Sequence, residues 1–258
     1  MLQMHTFNSW LPPIVIFLLT LAYWYGWFTL RRRQKIIRIP HAISFTVGML
    51  LLSIAYLPEM MHWGHADMRG HMVQHLLMAM YAPVFLVLGA PSTLLLQILP
   101  APIARRLTSI LKSSFFRMIS HPVTAMLLNI GGMYLLYLSP LYNQMHHQPF
   151  LHHLVHLHFL LAGYLFTWSM IGIDPGGHKV SFRLRLSVLF ISIAAHAFLS
   201  KAMYAYTWPK QSIHSDQQIQ EGARLMYYWG DLSELILLII FFSMWYKSRN
   251  DSFKSVPV

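Results

Sequence analysis

The 258-residue sequence contains no cysteine. That excludes disulfides, thiolate-ligated zinc and cysteine nucleophiles, and leaves any soft-metal chemistry to methionine and histidine. Charge is also scarce: 10% of residues are Asp, Glu, Lys or Arg, where a soluble domain carries about 25%. Acids are scarcest, 8 against 19 basic residues. With 56% hydrophobic residues and a mean hydropathy of +0.46, the chain reads as a multi-span membrane protein forming a single domain, 1–258. What it has in quantity is histidine (16) and methionine (17).

Apolar runs of membrane-crossing length predict an all-α bundle of seven transmembrane helices, at about 12–30, 41–58, 71–90, 122–140, 152–173, 185–207 and 224–246. Basic residues set its orientation. Arg31, Arg32, Arg33, Lys35 and Arg38 follow span 1, and Arg105, Arg106, Lys112 and Arg117 follow span 3. Lys179, Arg183 and Arg185 lie between spans 5 and 6, and Lys247, Arg249 and Lys254 follow span 7. These 15 of 19 basic residues share one side, which the positive-inside rule makes cytoplasmic. The expected protein is therefore multi-pass in the cell (cytoplasmic or inner) membrane, N-terminus outside and C-terminus inside. Topology accounts for the net charge of +11, so no nucleic-acid partner is expected. Span 1 reads as an anchor rather than a cleaved signal, because its basic cluster follows the apolar run. The segment 101–118, "APIARRLTSILKSSFFRM", has the basic and apolar periodicity of an interfacial helix lying on the lipid surface.

In this topology His41, His121 and His178 belong to the cytoplasmic side, and the other thirteen histidines fall outside or in the outer half to middle of a span. Several methionines accompany them. Any one such histidine reads as an interfacial residue; the set reads as an outward-facing metal region. On span 3, Met68, His71, His75 and Met78 share a helix face, with Met72 and Gln74 between them. On span 5, "QPFLHHLVHLHF" supplies the pair His152 and His156, with His153 one turn from His156. His158 faces elsewhere and reads as a hydrogen-bonded packing residue. Span 6 carries His196 and Ser200 with Lys201 beside them, and span 7 carries Tyr227, Asp231 and Glu234. Charged groups inside a span need partners; matched depths predict a Lys201–Asp231 ion pair and a His196–Glu234 contact orienting a ligating histidine. His62 and His65 in the 60–70 loop read as an uptake point.

The segments "HMVQHLLMAMYAPVFLVLGAP" (71–91), "HLHFLLAGYLFTW" (156–168), "HAFLS" (196–200) and "DQQIQEGARLMYYWGD" (216–231) resemble the landmarks of the membrane-integral CtaG family of cytochrome c oxidase assembly factors. These are distinct from the single-span periplasmic copper chaperone that shares the name. The resemblance runs in order over about residues 10–246. It implies assembly of a haem–copper oxidase, with delivery or insertion of copper, and cytochrome c oxidase subunits as partners alongside a copper chaperone outside the cytoplasm. The matching positions are His71, Gln74, His75, His156, His196, Asp216 and Gln217. The loop "MMHWGHADMRG" (60–70) is richer in His and Met than the family pattern.

The residues themselves agree on the metal type. Thioether and imidazole suit Cu(I), and imidazole suits Cu(II). The expected ligands are His71, His75, His152, His153, His156, His196, Met68 and Met72, supported by Gln74, Lys201, Asp231 and Glu234, with His62, His65, Asp216 and Gln217 at the outer loops. No enzymatic activity is expected. The alternatives are a membrane zinc hydrolase, with three histidines and a water on zinc, and a haem-binding electron carrier using His75 and His156.

Overall fold

A computed structural model describes residues 2–35, 38–172 and 180–254, with side chains from residue 10 onward except 248 and 251–254. The expectations for His178 and Lys179 lie outside the described residues. Every element among the described residues is helical. In chain order they are α1 (Leu2–Arg32), α2 (Ile39–Ala55), α3 (Pro58–Ala66), α4 (Met68–Leu88), α5 (Pro91–Ile98), α6 (Ala101–Leu111), α7 (Ser114–Ile119), α8 (Pro122–Leu138), α9 (Leu141–His147), α10 (Pro149–Ile171), α11 (Phe182–Tyr206) and α12 (Asp216–Lys254).

Prolines punctuate the chain. Pro40, Pro58, Pro91, Pro102, Pro122 and Pro149 each take the first or second position of a helix, where the missing N–H costs nothing and the fixed φ is already helical. Asp67 caps α4 by accepting from the Arg69 amide at 2.8 Å. Ser113 and Ser181 cap α7 and α11 in the same way.

Five helices are long and apolar enough to cross a bilayer: α1 from Trp10, α4, α10, α11 and α12 to Lys247. The count rises to seven if each of two bent pairs is one span. In those pairs α3 turns off α2 by 54° and α9 turns off α8 by 78°. The predicted second span thus ends at Ala55 rather than 58, where the chain reaches Pro58 and starts a new helix. The last helix begins at Asp216, eight residues before the predicted boundary at 224, because helical hydrogen bonding continues past the end of the apolar stretch. The predicted interfacial helix is two, α6 and α7, divided at Lys112–Ser113 by the Ser113 cap. Neither has a buried residue.

The core is centred on α4. In its most apolar window 67% of residues are buried, against 28% for α1. Around it lie α2, α10 and α12. Pro83, inside α4, has no N–H to donate to the carbonyl of Ala79, and the preceding turn, Leu76–Tyr81, widens to π hydrogen bonding. Gly163 of α10 sits against that freed carbonyl: a Cβ at residue 163 would lie 2.1 Å from the Ala79 oxygen. Close approach through a small residue is how helices associate in lipid, where dispersion contacts replace hydrophobic drive. Met68, Met72, Met78, Tyr137, Tyr142 and Phe159 are fully buried around α4. A second apolar cluster, with Val87, Phe166, Trp168, Leu237 and Phe241, fills the other end of the bundle.

Substituting Gly163 with valine forces α10 away from α4. The expected result is a loss of at least 1–3 kcal/mol of stability, the usual cost of overpacking, read as a lower thermal unfolding temperature in detergent. Gly131, with nothing within 4 Å of a Cβ, is the control: Gly131→Ala leaves that temperature unchanged.

Candidate functional site

The bends after α2 and α8 bring α3 and α9 over the first turn of α10. There they bound a pocket of about 850 Å³ lined by Tyr56, Glu59, Met61, His62, His65, Met145, His146, His152 and His153, among others. Gln74 fastens α3 in place. Its side-chain amide donates to the Ala55 carbonyl at 2.8 Å and lies 2.8 Å from the Met61 sulfur. It therefore holds the lip of the pocket, a support role through the backbone rather than through a ligating ring.

The histidines around this pocket touch one another. His65 stacks on His152 with ring centroids 4.3 Å apart and meets His146 edge-on at 5.6 Å. His152 lies 4.0 Å from His156, one turn deeper on α10. His146 continues the series to His214 at 5.6 Å. His153 is exposed but within 5.8 Å of His152. His62 is exposed and lines the pocket without a ring contact to the set.

Beside this series lies a layer of thioethers and phenols. Tyr142 donates to the Met68 sulfur at 3.2 Å, and Tyr137 donates to the Met72 sulfur at 3.7 Å. His71 Nε2 is 3.1 Å from the Tyr137 hydroxyl, and His214 Nε2 is 3.0 Å from that of Tyr142. All but His214 are less than 5% exposed. Nothing in the sequence spacing links Tyr142 to Met68, so both tyrosines were invisible at that level. His71 is engaged by a phenol, while His75, one turn deeper, packs edge-on against Phe159 at 5.1 Å. The two span-3 histidines thus have different surroundings, although both are buried. His158 points away and contacts the Leu128 carbonyl at 3.1 Å, as predicted.

A third group lies where α11 meets α12. His196 Nδ1 is 3.8 Å from Glu234 Oε1, the predicted contact. Donor atoms of His196, Asp231 and Glu234 all fall within 4.8 Å of one another, the one such His/Asp/Glu triad among the described residues. Gly230 makes this possible: a Cβ there would lie 2.1 Å from His196 Cε1. The predicted Lys201–Asp231 ion pair does not form. The Lys201 ammonium sits 5.1 Å from the centre of the Tyr227 ring instead, and the residue is exposed. Residues 201 and 231 match in depth, but the flexible lysine stem lays its ammonium over the Tyr227 ring, one turn before Asp231 on α12, near enough to act on the Asp231 charge but without contact.

Hydrogen bonding leaves a remainder. Eight buried imidazole nitrogens have no partner among the described residues: Nε2 of His75 and of His146, and both nitrogens of His152, His156 and His196. A buried polar atom left unpaired costs about 1–3 kcal/mol, and native proteins keep few of them. Imidazole nitrogens are donors of the kind that can ligate a metal ion.

At the outer end of α12, Asp216 and Gln217 are exposed, and Gln217 donates to Glu221 at 3.1 Å. Glu221 in turn pairs with Arg69 at 3.1 Å, and Arg69 grips Asp67 through its guanidinium. This chain ties the start of α12 to the start of α4. Hydrogen bonds from Arg69 hold the Asp67 carboxyl below the ordinary carboxylate range, against the opposing effect of burial. Burial pushes His214 below its ordinary value, and Asp67 acts against that shift.

Comparison with known proteins places this arrangement. The family model described as "Cytochrome c oxidase caa3 assembly factor (Caa3_CtaG)" matches residues 21–248. Uncharacterized proteins of Mycobacterium bovis and Mycobacterium tuberculosis are each 35% identical over 192 residues, 72% of this chain and 29% of theirs. One of Mycobacterium leprae is 30% identical over 248 residues, 88% of this chain and 37% of its own. The chain thus spans about a third of the length of these curated relatives. No solved structure matches it.

Acid should loosen this outer corner in two stages. Stability contributed by a neutral, buried His214 is lost as pH falls below the unfolded imidazole value of about 6.5, and that of ionised Asp67 as pH falls below about 3.9. Thermal unfolding in detergent measured against pH is expected to show both declines, with Arg69→Ala flattening the lower one. An undiminished acid decline in Arg69→Ala contradicts the assignment to Asp67.

Proposed function

The chain belongs to the cytochrome c oxidase caa3 assembly factor family, and from that premise we propose that it collects copper outside the cytoplasm and hands it to a haem–copper oxidase during assembly. The single observation that supports this reading is the set of buried imidazole nitrogens of His146, His152, His156 and His75 without protein partners among the described residues, running inward from a His- and Met-lined pocket. In this reading the bundle crosses the membrane seven times, with each bent pair as one span. The basic ends face the cytoplasm and the pocket faces outward.

Copper arrives as cargo from a chaperone outside the cytoplasm. His62, His65 and His153 at the lip, with Met61 and Met145, offer imidazole and thioether donors that suit Cu(I). From His65 the ion passes by ligand exchange to His152 and His156, whose rings lie 4.0 Å apart. Adjacent rings let a new donor bind before the old one leaves, so the ion is never bare in a low-dielectric interior. Met68 and Met72, lying beside His71 under two tyrosines, offer a softer station. His75 is the deepest donor of this series. Oxidase subunits are the receiving partners, and lipid surrounds the apolar outer faces. No bond of a substrate is made or broken, so the role is that of a metallochaperone rather than an enzyme.

Copper content after loading purified protein with Cu(I) under reducing conditions tests this. Wild type is expected to retain at least one copper per chain, and the double variant His152→Ala/His156→Ala to lose most of it. His158→Ala, which removes the contact to the Leu128 carbonyl and the edge-on contact to the Phe159 ring, is expected to match wild type. Equal retention in wild type and the double variant would remove the α10 pair from the copper path.

A further inference from the structure

The triad at the α11–α12 seam differs from the outer histidines in every donor but one. It contains two carboxylates, from Asp231 and Glu234, beside the single imidazole of His196. His196 is fully buried with neither ring nitrogen partnered, and Glu234 is 6% exposed with Oε2 unpartnered; Asp231 Oδ1 is unpartnered as well. Two acids in this setting need compensation; Lys201, over the Tyr227 ring, acts on Asp231 from a distance but makes no ion pair with either acid.

From these observations we propose that His196, Asp231 and Glu234 form a second metal site, for a divalent ion of the zinc class, clamping α11 to α12. An imidazole and two carboxylates bring two negative charges, so a divalent ion makes the set neutral, the least costly state for ligands inside a membrane protein. All donors are nitrogen or oxygen, which select borderline divalent ions over Cu(I). Their separations, 3.8 Å for Nδ1 to Oε1 and up to 4.8 Å overall, lie somewhat above the ~3.4 Å between ligands of a tetrahedral ion bound at about 2.0–2.2 Å. Rotation of the two carboxylates closes that difference. Gly230, by admitting the His196 ring against the α12 backbone, sets the approach of the two helices. The site does not depend on the copper reading, since it shares no ligand with the outer path.

Cobalt(II) serves as the probe, because its visible absorption reports bound ligands. In the His152→Ala/His156→Ala background, purified protein is expected to bind one Co(II) that is lost in Asp231→Asn and in Glu234→Gln, with at least a tenfold weaker affinity. Thermal unfolding of the same background protein is expected to shift upward on adding Co(II), and this shift needs no further variant to be folded. Retained Co(II) binding in Asp231→Asn and Glu234→Gln, or no shift in unfolding temperature, overturns the proposal. Cu(I) retention by Glu234→Gln at the wild-type level separates this site from the outer one.

Discussion

Inside a membrane bundle no water stands ready to take a hydrogen bond, so every polar atom carried inward must be matched within the protein. This chain obeys that constraint almost everywhere. Backbone carbonyls freed by proline meet close neighbours, serines and threonines turn back onto their own helices, and tyrosines cap sulfurs. Among the described residues the unpartnered buried atoms are mostly histidine nitrogens on α4, α9, α10 and α11 and two carboxylates on α12, with Trp27, Asn129, Arg185 and Ser192 contributing one atom each. The copper and divalent-ion proposals rest on the first two groups, because those atoms lie together.

The helices serve that end through a few close contacts. Pro83 opens the hydrogen-bond ladder of α4 and Gly163 lets α10 come against it, which sets α10 close to the helix that carries His71 and His75. The breaks at Pro58 and Pro140–Leu141 fold α3 and α9 over the top, converting two span ends into walls of the outer pocket. Gln74 then ties α4 to the end of α2 and to Met61 of α3, and the Asp67–Arg69–Glu221 chain ties the start of α4 to α12. Histidines far apart in sequence, at 65, 146, 152 and 214, become neighbours as a result.

Much of this was legible in the residues. Apolar run length gave the helices, and helical spacing gave the His152–His156 pair and the shared face of α4. Depth counting gave the His196–Glu234 contact. Depth did not give the contact of Lys201: at that height the lysine stem reaches the Tyr227 ring, one turn before Asp231 on α12, rather than the carboxylate. The sharp bends were not legible, since a proline after an apolar run marks a break without its angle. The Tyr142 cap on Met68 depends on the bend after α8, and the Tyr137 cap on Met72 on how α8 packs against α4, so neither was within reach of spacing. Glu234 read as the support for a ligating histidine and Asp231 as the partner of Lys201. Both carry an unpartnered oxygen close to His196, which is why the triad proposal takes them as donors.

The central claim is that the outer imidazoles and thioethers are ligands to copper. X-ray absorption at the copper edge of Cu(I)-loaded protein tests it most directly. The account predicts scattering from imidazole rings together with thioether sulfur. A first shell of oxygen or solvent donors alone, without the outer-shell signature of imidazole, would contradict it.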